Sequence, residues 1–152
     1  FLHGIPHFAI SIGLQSNNEI ISGLIYDPIK DEMFFAEKDN GAFLNNHRMR
    51  VSSKNDINNC LFAIGGKFQT KLDFPNRKSG CAALDLAYVS SGRLDGYVQD
   101  NLNLWDIAAG IILVKEAGGL MNKIDLNKTE NLNVIASSVN INDKFREKIG
   151  NF

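Results

Sequence analysis

Long apolar runs are missing from this 152-residue chain: nothing in it approaches the roughly 18 consecutive apolar residues that a membrane-crossing helix needs. The opening residues are apolar but are broken by His3, Pro6 and His7, so they do not read as the apolar core of a secretory leader. Cysteine is scarce as well. Cys60 and Cys81 are too few for a disulfide framework and fit a reducing compartment, where both are expected as thiols. Nor is there a surplus of basic charge. Sixteen Lys and Arg against 17 Asp and Glu leave a net charge of −1, which argues against a broad cationic surface that would hold duplex nucleic acid by counterion release. Internal repeats and low-complexity tracts are also lacking. What remains is 44% hydrophobic and 22% charged, an ordinary composition for one soluble domain with its own core, and a cytoplasmic place is the expectation.

The first third of the chain alternates. Phe8, Ile10, Ile12 and Leu14 interleave with Ala9, Ser11 and Gly13, the period of a half-buried strand. Ser16-Asn17-Asn18 turns the chain back into a strand over 20–26, which Asp27-Pro28 breaks because proline cannot donate to a ladder. Segments 32–37, 42–44 and 48–51 continue the pattern, with turn signals at Asn40-Gly41 and Asn45-Asn46. Residues 1–51 thus read as an antiparallel meander. After a polar connector at 52–59, residues 60–152 read as strand-helix units: a strand at 61–64, a helix at about 80–91 capped by Ser79 and stopped by Gly92, strands at 120–124 and 132–136, and a helix at 142–149.

The stretch from 94 to 119 carries the chemistry. It predicts a strand at 94–99, a polar loop at 100–103, and a helix whose first turn holds Trp105 and Asp106. Apolar Ile107, Ala108, Ile111, Ile112 and Val114 are spaced to share a buried face, and Gly118-Gly119 is the stop. Asp106 is therefore a carboxylate at the positive end of a helix. On spacing alone it has two readings: the partner of Asn103 in a capping box, or a hard oxygen ligand for a metal beside a phosphate. His3 and His7, four apart, could in principle share a metal on a helix, but Pro6 and the strand pattern that follows oppose that arrangement.

Three ordered motifs carry a resemblance. Trp105-Asp106-Ile107-Ala108-Ala109-Gly110, with Glu116-Ala117-Gly118-Gly119 after it, resembles the C-terminal signature of the inositol monophosphatase family of magnesium-dependent phosphatases. Ser79-Gly80-Cys81-Ala82-Ala83-Leu84-Asp85-Leu86-Ala87-Tyr88, with Gly92-Arg93-Leu94-Asp95-Gly96, is similar to the family's Gly-x-Ala element. Phe1-Leu2-His3-Gly4-Ile5-Pro6 resembles the segment just after the family's Asp-Pro-Ile/Leu-Asp-Gly-Thr metal loop. The nearest likeness is to the bacterial extragenic-suppressor branch.

The resemblance implies a mixed α/β (α+β) fold, the layered α/β sandwich of the sugar-phosphatase superfamily, with residues 1–152 as the C-terminal portion of the domain and the N-terminal part missing. It implies hydrolysis of inositol phosphate or a related sugar or nucleoside phosphate, Mg2+ as cofactor, and Asp106 as catalytic residue and metal ligand. It implies substrate contacts from Gly80, Cys81, Ala82, Gln99 and Asp106. Cys81 stands where relatives often carry serine or threonine, and Gln99 where inositol phosphatases carry a glutamate for a sugar hydroxyl. Segment 65–76 is shorter than the family pattern. The other metal ligands and the catalytic threonine of the family precede the position matched by Phe1, so the isolated chain is expected to be inactive. A homodimer is among the implied assemblies, with neither membrane nor direct nucleic acid as partner. A protein-binding module of the transcription machinery, and the product of a split or decaying gene, are the alternatives.

Overall fold

The computed structural model describes residues 2–67 and 73–150; Phe1 of the first motif and the middle of the shortened 65–76 segment lie outside the described residues. The meander forms where the alternation places it, but its first strand is not half-buried through its apolar set: Ile10, Ile12 and Leu14 are each more than half exposed, and Gly13 faces the helix that carries Asp106 instead. Strands β1 (Ile10–Ser16), β2 (Glu19–Asp27), β3 (Glu32–Glu37), β4 (Gly41–Leu44) and β5 (His47–Arg48) lie antiparallel in chain order. Asn17 and Asn18 take φ of 49° and 59°, and Asn45 and Asn46 take 45° and 67°. A two-residue hairpin turn of this kind needs two left-handed residues, and asparagine tolerates that conformation better than most. Strand β5 is shorter than expected, because the Val51 N–H leaves the sheet and donates to the Ala117 carbonyl at 3.2 Å.

A second five-stranded sheet runs in the order β7 (Asn76–Arg77), β6 (Phe62–Ile64), β8 (Gly96–Leu102), β10 (Leu132–Ser137), β9 (Leu120–Met121). Strand β6 is parallel to β7 and β8, while β10 is antiparallel to β8 and β9. Helices α1 (Ala82–Ser90) and α2 (Leu104–Glu116) fill the space between the two sheets, and α3 (Asn142–Ile149) covers the far face of the second. The layered α/β sandwich is therefore the fold.

Packing of α2 explains the glycines of the meander. Gly13, Gly23, Ala36 and Ala42 form one row across β1 to β4, facing the helix. A Cβ on Gly13 would lie 2.7 Å from Ala108 Cβ, and one on Gly23 would lie 2.7 Å from the Ala109 carbonyl oxygen. Small residues in that row let the helix axis approach the sheet. The helix is consequently buried on two sides, not on the single face that its spacing suggests: Ala109, Ile112 and Leu113 pack toward the first sheet, Ile107 and Val114 toward the second. Each of these larger side chains contributes roughly 1.5–3 kcal/mol by leaving water.

Two expectations near the site need correction. The helix cap is Cys81, not Ser79, and α1 begins at Ala82, because Gly80 takes φ 85° and turns the chain before the helix starts. The stretch 100–103 is not a loop as a whole: Asp100, Asn101 and Leu102 continue β8, with Leu102 opposite Leu132. Asn101, at φ 54°, absorbs a register shift as a bulge and keeps these polar residues within the sheet.

Candidate functional site

Strand β8 ends at Leu102 and α2 begins two residues later, so Asp106 is carried on the first turn of a buried helix directly after a bulged strand. Asn103 has extended backbone and caps that helix; its N–H donates to Asp106 Oδ2 at 3.1 Å. The capping interaction is thus present, and it engages one carboxylate oxygen while the side chain as a whole lines a cavity. Trp105, beside it, is 60% exposed and contributes nothing to the core.

The cavity has a volume of about 240 Å3, and Gly80, Ala82, Gln99 and Asp106 all line it. Four of the five residues implied by the resemblance are therefore brought together from the Gly80 turn, α1, β8 and α2. The fifth, Cys81, is not on the lining: its side chain packs against the cluster between the first sheet and the helices, and burial pushes its thiol pKa up. The second cysteine, Cys60, is buried and likewise raised by burial.

Gln99 is held from behind. The hydroxyl of fully buried Tyr97 donates to Gln99 Oε1 at 2.6 Å, and burial pushes the Tyr97 pKa upward, so the phenol stays a donor. With its oxygen occupied, the amide presents its NH2 as the group still unpaired. Gly65 and Gly66 complete this wall. A Cβ on Gly65 would collide with the Gln99 amide and one on Gly66 with the Asp100 carboxylate, so only glycine leaves those side chains in place. Asp100 Oδ1 in turn accepts the Lys67 N–H at 2.9 Å.

Among the described residues, Lys78 brings the one cationic side chain on the lining, its Nζ donating to the Gly66 carbonyl at 2.7 Å. The sequence reading did not single out Lys78, Gly65, Gly66 or Leu102. A signal existed for three of them: paired glycines mark a close backbone approach, and a lysine immediately before a Ser79-Gly80 turn places charge at a helix start.

Behind the Gly80 turn, Ser79 Oγ donates to Asp85 Oδ2 at 2.6 Å and accepts the Cys81 N–H at 3.3 Å. Asp85 is 2% exposed, and burial pushes its pKa from 3.8 up to about 6, against the smaller opposite pull of the Ser79 hydrogen bond. It borders a neighbouring cavity of about 430 Å3 with His7, Lys78 and Tyr88. A carboxyl whose folded pKa is raised favours folding fully below its ordinary value, and that contribution is lost as pH climbs through about 6. Asp85→Asn keeps an acceptor for Ser79 without the buried charge. It should raise stability at pH 8 by up to about 3 kcal/mol and give no gain below about pH 4, as read by urea unfolding at both pH values. A gain independent of pH would show that burial of the charge is not the cause.

Chemically, the described residues of the cavity offer one carboxylate, one amide donor, one ammonium group and the backbone at the start of α1, a set suited to an anionic, hydroxyl-bearing ligand. It does not by itself suit a catalytic divalent ion. A hard ion of that kind takes about six oxygen ligands, and among the described residues no group of three or more His, Cys, Asp or Glu converges. Nor is any helix among them long and apolar enough to cross a membrane.

Comparison with known proteins gives the same direction. The profile described as the inositol monophosphatase family matches residues 1–150. An inositol-1-monophosphatase of Rhizobium meliloti is 41% identical over 134 residues, covering 78% of this chain and 50% of that protein. A Nus factor SuhB of Haemophilus influenzae is 39% identical, covering 98% of this chain and 62% of the relative. Among solved structures, the extragenic suppressor protein suhB from Bartonella henselae superposes with a TM-score of 0.89 at 42% identity, covering 97% of this chain and 66% of its own. The Thermotoga maritima IMPase gives a TM-score of 0.89 at 35% identity, with 98% and 63% covered. The chain thus spans between half and two thirds of the proteins it matches.

Proposed function

Because the chain belongs to the inositol monophosphatase family, we propose that it forms the substrate-side part of a Mg2+-dependent phosphomonoesterase acting on inositol phosphate or a related sugar or nucleoside phosphate. The observation that supports this reading is the convergence of Gly80, Ala82, Gln99 and Asp106 on one cavity. In the proposed site the α1 N-terminus and Lys78 favour the phosphate by charge, Gln99 holds a sugar hydroxyl through its amide NH2, and Asp106 offers its free oxygen as one ligand to the ion. The remaining ligands come from outside the described residues. Cys81 influences the substrate through the backbone of the α1 start, its thiol being turned toward the core. A cytoplasmic setting goes with this reading.

Position 99 supplies the test of substrate preference. A glutamate there would still accept the Tyr97 hydrogen bond and would turn a second, charged oxygen toward the hydroxyl. Gln99→Glu should therefore improve hydrolysis of inositol monophosphate over other phosphomonoesters by the worth of one charge-assisted hydrogen bond, about 1.5–3 kcal/mol in kcat/KM. An unchanged ranking across a panel of inositol, sugar and nucleoside monophosphates would remove Gln99 from the substrate site. The Nus factor name of the Haemophilus relative supports a second reading, in which the chain serves as a protein-binding module in a transcription complex. Specific capture by transcription proteins, unaffected by Asp106→Asn, would favour it.

A further inference from the structure

Asp85 is a titratable group that the proposed chemistry does not use. It is 2% exposed, and none of the ion pairs among the described residues includes it. Its side-chain partner there is the Ser79 hydroxyl, which donates to Asp85 Oδ2 at 2.6 Å, a length typical of a hydroxyl bonded to a charged carboxylate. Ser79 Oγ in turn accepts the Cys81 N–H at 3.3 Å, so a buried carboxylate on the first turn of α1 reaches back over Gly80 to the residue before it. Gly80 has φ 85°, and yet a Cβ there would meet no atom within 4 Å. No described atom packs against the turn from the cavity side; its conformation is held from behind, by hydrogen bonds.

A neutral acceptor would hold the Ser79 hydroxyl without the cost of burying a charge. What the carboxylate adds is direction and strength. Ionised, it can only accept, so the Ser79 hydrogen is pinned to it and a lone pair of Ser79 Oγ is left for Cys81; the bond is also about twice as strong as one between neutral groups. The same charge adds to burial in pushing the Tyr97 pKa up, and so helps to keep the phenol that donates to Gln99. The charged and titratable groups that face Asp85 are His7, Arg77, Lys78 and Tyr88 across the neighbouring cavity, Lys30 and Asp27 beyond Tyr88, and Cys81 and Tyr97 on its other sides. We infer that Asp85 is a positioning residue: through Ser79 it fixes the Gly80 turn, and with it the start of α1, in the conformation that forms the substrate-side wall of the cavity. The inference rests on the reading of that cavity as the substrate site, but the hold on the turn is measurable without it.

The test follows backbone amides of the full 152-residue chain by NMR, with inorganic phosphate as the probe. In the unaltered chain the Cys81 amide shift should titrate with Asp85, at about pH 6, and lose that dependence in Asp85→Asn. Ser79→Ala and Asp85→Ala should each speed exchange of the Cys81 N–H roughly fivefold, the worth of one ordinary hydrogen bond, and weaken phosphate at the Gly80 and Ala82 amides. Loss of a negative charge would by itself strengthen an anion's binding, so a weaker phosphate in Asp85→Ala reports the turn and not the field. Ser79→Thr and Asp85→Asn keep the bonding atom; both should hold Cys81 exchange within about twofold of the unaltered chain, and Asp85→Asn should bind phosphate at least as well. Cys81 exchange that ignores Ser79→Ala, or phosphate affinity that rises in Asp85→Ala, overturns the inference. If Asp85→Ala does not fold, Ser79→Ala, at an exposed residue, decides it alone. A Cys81 amide that responds as expected, with phosphate moving neither Gly80 nor Ala82 in the unaltered chain, sinks the substrate-site reading and leaves the hold on the turn standing.

Discussion

Replacing Asp106 with asparagine is expected to slow turnover of the assembled enzyme by at least ~100-fold, the scale seen when one preorganised electrostatic group is lost from a catalytic site, while leaving stability almost untouched. The geometry explains why the two effects separate. Asp106 Oδ2 accepts the Asn103 N–H and so serves the helix. An asparagine Oδ1 can accept the same bond, and the cost to the cap is then limited to the charge-dipole part, about 0.3–1 kcal/mol. The atom turned toward the cavity changes from a negatively charged acceptor to an NH2 donor, which cannot ligate a cation. Paired measurements of kcat and of the urea midpoint check this. Turnover like that of the unaltered protein would sink the assignment of Asp106, and equal losses in both would mean that the residue acts only as a cap.

Much of this arrangement is legible in the sequence because it depends on local chemistry. Asparagine pairs at 17–18 and 45–46 announce left-handed turns, the positions of β1 to β3 follow from their alternation although the apolar set of β1 faces outward, and α3 has the bounds that its pattern predicts. What was not legible depends on contacts distant in the chain. The two-residue β7 is a strand only because β6 lies beside it. The bulge at Asn101 hides in a polar run that reads as loop. The Gly13 and Gly23 row has no local reason at all; it is explained by α2, nearly a hundred residues later in the case of Ala108. In the site, the motif resemblance points to Asp106 and Gln99, but Tyr97 as the support of Gln99, and Gly65 as the space it needs, appear only once β6 and β8 are side by side.

The isolated chain is expected to release no phosphate from any monoester and to bind Mg2+ no better than a lone carboxylate does. Mg2+ keeps near-octahedral oxygen geometry and gives up its water reluctantly, so a protein holds it with several carboxylates acting together with substrate phosphate. Among the described residues, Asp106 is the one carboxylate on the cavity lining. The nearest other carboxylates are committed elsewhere: Asp100 accepts the Lys67 N–H, and Asp85 lies behind the Gly80 turn, bonded to Ser79. Without an ion there is nothing at the site to lower the pKa of an attacking water from its bulk value, and Lys78, a single ammonium bonded to the Gly66 carbonyl, does not replace it. On the proposed reading the described residues of the cavity serve substrate binding, and the activating ligands are left to the rest of the protein. Titrating Mg2+ into residues 1–152 by calorimetry should give no saturable binding, and phosphate release should match the buffer blank. Adding the portion of the Bartonella protein outside the match should raise both together, and Asp106→Asn should abolish the gain. Saturable Mg2+ binding before that addition would mean that the chain closes a metal site that no three acidic, histidine or cysteine side chains among the described residues form in this structure.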